Sequence, residues 1–388
     1  MKKLTAILAF FFIAGTIYSA PASNPKIKFI KGNIQDKISS VKEDAIDNAY
    51  SIAQSAVDFV IENIELLKDD RDFAGLAVAS VYAYPEKEFS ENVDLVLGKF
   101  GSIFYLIKDQ NVRVSILDKL LSVSSAISND EIVAFINNYL AGASNDKVVL
   151  TDVEKKSIQV ISKIGNDKSF ELLYYIYNHD IWPEYRKETK KALISLADKS
   201  TVFLMNEIRK ADFTEMKLIY SIFIENSELS STIKSEIAEN LLSSSMIIIR
   251  DSSKISKELS AFQFNNCSII CQNSWTRGYA LVISYFDIAK TEFAAGFLTN
   301  EQFATIISYV EKTASKDSVK VLTAYLEELN KETEKGNLPA SNIASAVIQA
   351  LGNLGDKSAF DCLLFTTYLN YPEDIVAQAR RALSSLKW

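Results

Sequence analysis

The side chains able to do covalent or metal chemistry are few in this chain. His179 is the only histidine in 388 residues, so a Ser-His or Cys-His pair has one place to form. It stands in Tyr177-Asn178-His179-Asp180 shortly before Pro183, a setting that suits an exposed helix end. Zinc needs three or four ligands, and one histidine with Cys267, Cys271 and Cys362 does not supply them at suitable spacing, so no metal site is expected. Cys267 and Cys271 are a candidate disulfide. On a regular helix their Cβ atoms would lie about 5 to 6 Å apart, against the roughly 3.5 to 4.5 Å a disulfide takes, so the bond requires non-helical backbone. Phe264-Asn265-Asn266 before the pair and Gln272-Asn273-Ser274 around its end point to a loop there. Two free thiols are the alternative. Cys362, among Phe360, Leu363 and Leu364, suits a small core hydrophobe better than a nucleophile.

A glycosidase asks only for two carboxyl groups about 5 to 10 Å apart, one kept protonated by burial. Glu62, Glu65, Asp69, Asp70 and Asp72 form one acidic cluster, and Glu327, Glu328, Glu332 and Glu334 another. Lys68, Lys331 and Lys335 are interspersed among them, the pattern of a solvated helix face. The densest aromatic group is Tyr174, Tyr175, Tyr177, Trp182 and Tyr185. Of these, Tyr175, Trp182 and Tyr185 are the candidate binding residues, because amphipathic rings on a rim suit stacking on sugars. Tyr174 and Tyr177, three apart, carry helical core spacing, and core packing is the competing explanation for the whole group. No glycine-rich phosphate loop is present, so no cofactor is expected.

The elements that would position these residues follow from composition. Only 12 Gly and 6 Pro punctuate the chain, which disfavours tightly turned sheets, while 48% hydrophobic residues can bury a core. At this length either two domains or an elongated array is expected. The formal net charge is −7 with no concentrated basic stretch, which speaks against nucleic acid as a partner. Met1-Lys2-Lys3, an apolar run from Leu4 to Tyr18 and a small-residue exit through Ala20-Pro21-Ala22 predict a secretory signal peptide over 1–22. The apolar run is short for a membrane span. The chain is therefore expected to be exported, periplasmic or secreted, with no membrane span left after cleavage.

Helical spacing runs through the rest. Ile34, Ile38, Val41, Ala45, Ala49, Ile52, Val57 and Val60 predict an opening helix or cap within 23–69. An array of helices follows over 70–388, with segments at Phe73–Tyr82, Asn92–Ile107, Asn111–Ile127 and Asp130–Leu140. Its most informative feature is an internal match. Ile158-Gln159-Val160-Ile161-Ser162-Lys163-Ile164-Gly165-Asn166-Asp167-Lys168-Ser169 returns as Ile348-Gln349-Ala350-Leu351-Gly352-Asn353-Leu354-Gly355-Asp356-Lys357-Ser358, short by one Asn. Sixteen residues after each Asp stand Pro183 and Pro372, each between an aromatic and a Glu, and both copies then resume a helix through Ala192-Leu193 or Ala382-Leu383. A third Asp-Lys-Ser lies at Asp198-Lys199-Ser200, 31 residues after the first, near the period of a helix-pair repeat. Gly165 and Gly355 can end one helix in the left-handed conformation, Asp167 and Asp356 can cap the next, and the prolines can open the one after.

These residues resemble the HEAT-repeat family, in which an Ala- and Leu-rich helix closes in Leu-Gly-Asp before a second apolar helix. Ile343–Leu386 carries the likeness best and Ser157–Ile208 next. The resemblance implies an all-α fold, an α-solenoid or superhelix of stacked antiparallel helix pairs with the Gly165 and Gly355 turns along one edge. It implies a binding surface and no particular chemistry. A non-catalytic scaffold or adaptor of the cell envelope, holding a protein partner, is the leading expectation. An exported polysaccharide-acting enzyme on an α/α fold is the alternative, and a carrier of lipid or a small ligand the third. A buried carboxylate pair in a cleft would mark the enzyme and an enclosed apolar pocket the carrier, whereas a continuous groove with neither would mark the adaptor.

Overall fold

The computed structural model describes residues 47–125, 130–145, 150–248 and 256–387. The expected signal peptide over 1–22, and the opening helix as far as Ala45, lie outside the described residues. Those described are helical throughout, without a strand among them, and they fall into two compact units that meet in sequence at Ser200 and Thr201.

The first unit runs α1 (Asp47–Leu67), α2 (Arg71–Ala83), the short α3 (Glu86–Glu91), α4 (Val93–Leu106), α5 (Gln110–Val123), α6 (Asp130–Asn145), α7 (Asp152–Ile164), α8 (Asp167–Asn178) and α9 (Arg186–Leu196). Successive helices pair as α1 with α2, α4 with α5, α6 with α7 and α8 with α9. The pairs then stack in two rows, α2-α5-α7-α9 and α1-α4-α6-α8. Each row is held by the apolar stripes that helical spacing predicts; Phe100, Ile103, Ile116, Leu120, Ile136, Ile158 and Ile161 are all fully buried or nearly so.

The second unit begins with α10 (Thr201–Lys210) and α11 (Phe213–Ile219), which loosens into a π turn over Tyr220–Ile224. It continues as α12 (Ser231–Ile248), α13 (Lys257–Gln272), α14 (Tyr279–Ala294), α15 (Asn300–Lys312), α16 (Lys316–Glu334), α17 (Ser341–Leu354), α18 (Phe360–Thr366) and α19 (Glu373–Ser385). The same arrangement recurs, with α12/α13, α14/α15, α16/α17 and α18/α19 as pairs and α13-α15-α17-α19 as one row. Hence the solenoid-like stacking of helix pairs expected from the sequence is present within each unit.

Polar links between neighbouring pairs recur at 32 to 42 residues. Tyr82 Oη donates to Asp118 across 36 residues, Tyr185 Oη to the Thr151 carbonyl across 34, Trp275 Nε1 to Glu239 across 36, and Lys290 reaches Glu328 across 38. That interval is the length of one helix pair with its connections. Each pair therefore touches the next one and little beyond, which is how a chain buries apolar faces that no single pair can bury alone.

The internal match occupies equivalent places, with three corrections. α7 and α17 do not pack chiefly on the helices that follow them; they pack on their row neighbours and on the preceding helices α6 and α16. The turns at Gly165 and Gly355 are thus corners between pairs rather than the bends within them. Gly355 is left-handed at φ 67° as expected, but Gly165 has φ −62° and ψ 166°. The extra Asn explains the difference: Asn166, not Asp167, caps α8, its side chain accepting from Ser169 N at 3.3 Å. Asp356 keeps the capping role in the second copy, accepting from Ser358 N at 2.8 Å. Freed from capping, Asp167 accepts from Ser200 Oγ at 3.2 Å, which ties the first Asp-Lys-Ser to the third.

Candidate functional site

Two adjoining depressions form one groove on the second unit, along α16. At the α15–α16 corner Ala314 takes a left-handed φ of 47°, and Ser315 starts α16 with a reciprocal cap to Ser318. The first depression, about 360 Å³, opens there between Lys312, Lys316, Asn353 and Asp356. The second, about 510 Å³, continues past Lys320, Thr323 and Glu327 to Ser358. Lys316 and Asp356 line both. The repeated Gly-Asp-Lys-Ser corner thus forms one wall, and a solvent face of α16 the other.

The groove's charges are unevenly engaged. Glu311 accepts from Asn353 Nδ2 at 2.9 Å, and Lys312 Nζ donates to the Cys271 carbonyl at 2.5 Å. The Ser358 backbone N–H holds the Asp356 carboxyl below its ordinary range, with help from the charges of Lys316 and Lys357. Lys316 and Lys320 are exposed and make no hydrogen bond or ion pair among the described residues.

The residues singled out from the sequence do not converge. Trp182, Tyr174 and Tyr177 are 5 to 7% exposed and belong to the core. Tyr185 is half-buried, with its hydroxyl committed to Thr151, and Arg186 lies 4.0 Å over the Tyr177 ring. Tyr175 alone is exposed, at 47%, with its ring 4.3 Å from that of His179. Trp182, Tyr185 and Tyr175 therefore present no joint stacking platform. His179 is the C-cap of α8, the helix end expected of it.

Cys267 and Cys271 lie in the C-terminal half of α13, buried and unbonded. The loop expected around them is a helix as far as Gln272, and only Asn273 and Ser274 leave it, as the C-cap and a left-handed turn residue. Asn266, one of the residues that suggested a loop, turns its amide back along the helix to donate to the Phe262 carbonyl at 2.8 Å, so it satisfies the backbone instead of breaking it. Cys362 is 5% exposed in α18, as its apolar neighbours suggest.

A buried polar seam between α13 and α14 was not legible in the sequence. Glu292 is fully buried and accepts from Tyr285 Oη at 2.9 Å. Burial raises its carboxyl above the ordinary range, partly offset by Ser260 and Tyr285, and burial likewise lifts the Tyr285 phenol. Gln263, one helical turn from Ser260, is fully buried with neither amide atom hydrogen-bonded to the described residues. None of these lines the groove. Among the described residues no group of three His, Cys, Asp or Glu side chains could hold a metal ion, and no helix is long and apolar enough to cross a membrane. Comparison of the chain with protein-family models and with curated proteins finds no match to either.

Proposed function

We propose that this chain is a non-catalytic binding scaffold of the HEAT-like kind, exported to the cell envelope, which holds a protein partner on its stacked helix pairs. One observation carries the reading: polar links between neighbouring pairs recur at 32 to 42 residues, so each unit is built as a stack of helix pairs. Such a stack offers a long surface of exposed side chains and gathers no convergent catalytic cluster. The open groove along α16 supports the reading further, because its lining mixes lysines, carboxylates and small residues instead of enclosing an apolar space. Glu292, a carboxyl raised above its ordinary range chiefly by burial, is fully buried and faces Tyr285 inside the helix pack, away from any surface a glycan could reach. Affinity capture of the tagged full-length chain from its native envelope, with mild cross-linking, tests the proposal. A stoichiometric protein partner is expected; recovery of glycan or lipid alone would overturn it.

A further inference from the structure

Five polar atoms of α13 and α14 have no hydrogen-bonding partner among the described residues: Ser260 Oγ, Gln263 Nε2 and Oε1, Asn266 Oδ1 and Glu292 Oε1. All four side chains are fully buried. The other such atoms, on Asn137, Ser157, Thr323 and Tyr371, come one to an element. In the seam they gather on facing stripes. Ser260, Gln263 and Cys267 recur at helical spacing along α13, and Tyr285 and Glu292, seven residues apart, share a face of α14. The stripes meet at both ends, since Cys267 acts on the Tyr285 phenol and the Ser260 hydroxyl on the Glu292 carboxyl. Yet Ser260 makes no direct hydrogen bond to that carboxyl. We propose that the seam is an internal hydration site, in which ordered water bridges Gln263 and Ser260 of α13 to Glu292 of α14. The proposal goes beyond the scaffold reading and does not depend on it.

The groups require a guest that both donates and accepts. Gln263 Nε2 offers N–H donors, whereas Gln263 Oε1, Asn266 Oδ1 and Glu292 Oε1 accept. Asn266 keeps its oxygen as an acceptor, because turning the amide round would lose the bond from Nδ2 to the Phe262 carbonyl. The Tyr285 hydroxyl is committed to the other Glu292 oxygen and does not serve Oε1. A metal cation would leave the Gln263 N–H groups unpaired, an anion would oppose the carbonyl and carboxyl oxygens, and an apolar guest would satisfy none of them. Water satisfies both kinds, and it is the usual partner of buried polar groups that side chains leave unmatched. Left dry, each group forfeits a hydrogen bond that it had in the unfolded chain. Because α12, α14 and α15 all pack on α13, water held here is part of the interior.

A crystal structure of the full-length chain, at a resolution that shows ordered water, tests the site directly. Density for water within hydrogen-bonding distance of the Gln263 amide and of Ser260 or Glu292 is expected. A Gln263 amide bonded directly to Ser260 or Glu292, or a seam without water density, would overturn the proposal. Urea unfolding of variants gives a second readout whose sign decides. Gln263→Met keeps the length and unbranched shape of the side chain but holds no water. In a hydrated seam it takes a partner from water that Ser260 and Glu292 still need, so the urea midpoint should fall. In a dry seam it removes two unpaired atoms, so a midpoint that rises would count equally against the site. Ser260→Ala combined with Gln263→Met should shift the midpoint by less than the sum of the two single shifts, because both act on the same water. Strictly additive shifts would mean that no water joins the two residues.

Discussion

Ser385 Oγ donates to the Gly352 carbonyl at 2.8 Å, and 190 residues earlier Ser195 Oγ donates to the Ser162 carbonyl at the same distance. Each bond ties the third helix of its repeat copy to the first, α19 to α17 and α9 to α7. The match seen in the sequence is thus a match of contacts as well as of residue types. In the second copy the helices come especially close, since a Cβ placed on Gly352 would stand 2.9 Å from Ala382 Cβ. Gly352→Ala should therefore cost about 1 to 3 kcal/mol by overpacking. Ser385→Ala should cost only about 0.5 kcal/mol, because the hydroxyl has one proton to share between the Gly352 and Ala382 carbonyls. Urea unfolding of the two variants measures the difference; equal effects would mean the helices can part without loss.

The two corner glycines are needed for different reasons, and substitution separates them. At φ 67°, Gly355 occupies left-handed backbone with no side-chain atom nearer than 3.8 Å to a would-be Cβ. Gly355→Ala should cost about 1 to 2 kcal/mol through that conformation alone, and Gly355→Asn should recover part of the loss because Asn tolerates it. Gly165 has ordinary φ, but its Cβ would meet the Ile161 carbonyl oxygen at 2.5 Å and Ser169 Cβ at 2.9 Å. Here Ala and Asn should be equally harmful. Melting temperatures of the four variants check the contrast.

How much of this was legible in the sequence depended on whether local pattern or long-range packing set the outcome. Helices appeared where apolar residues recur at helical spacing, and the capping role of Asp356 followed from its place after a glycine. The role of Asp167 did not, because one inserted residue, Asn166, moved the cap back by one and released the carboxylate to Ser200. Around Cys267 local propensity misled: Asn265 and Asn266 suggested a loop, but burial of Phe262, Cys267, Ile270 and Cys271 outweighs it, and the chain leaves the helix only at Asn273. No local pattern marks Lys316 or Lys320, since only the corner at Asp356, more than thirty residues away, makes a groove of that face.

Glu292 should make the second unit sensitive to pH. Below the ordinary carboxylate range the group is protonated both folded and unfolded and has no effect on stability. Above that range the unfolded chain releases the proton while the buried carboxyl keeps it, so stability falls as pH rises toward the raised folded value. Urea midpoints should accordingly drop between pH 4.5 and neutrality by more in the native chain than in Glu292→Gln, which resembles the protonated form and can still accept from Tyr285. Identical pH profiles for the two chains would show that Glu292 titrates as an ordinary surface acid.

The aromatic group of the first unit offers the sharpest test between a core and a sugar-stacking rim. Trp182, 5% exposed, fills space beneath the α8–α9 connection, so Trp182→Ala should cost about 3 to 5 kcal/mol as a core truncation. Tyr185→Phe removes the hydroxyl that reaches the Thr151 carbonyl at 2.8 Å, a link between neighbouring pairs worth about 0.5 to 1.5 kcal/mol. Tyr175, half exposed, and His179, at the end of α8, should each tolerate Ala within about 0.5 kcal/mol. A stacking platform predicts a different ranking of effects, in which Tyr175→Ala and Tyr185→Phe leave stability alone and weaken binding of a soluble oligosaccharide. Calorimetric titration of the folded variants with peptidoglycan fragments distinguishes them: with Trp182 in the core and Tyr185 tied to Thr151, no variant should change the heat of mixing. A heat that the native chain shows and Tyr175→Ala loses would return this face to the list of ligand sites.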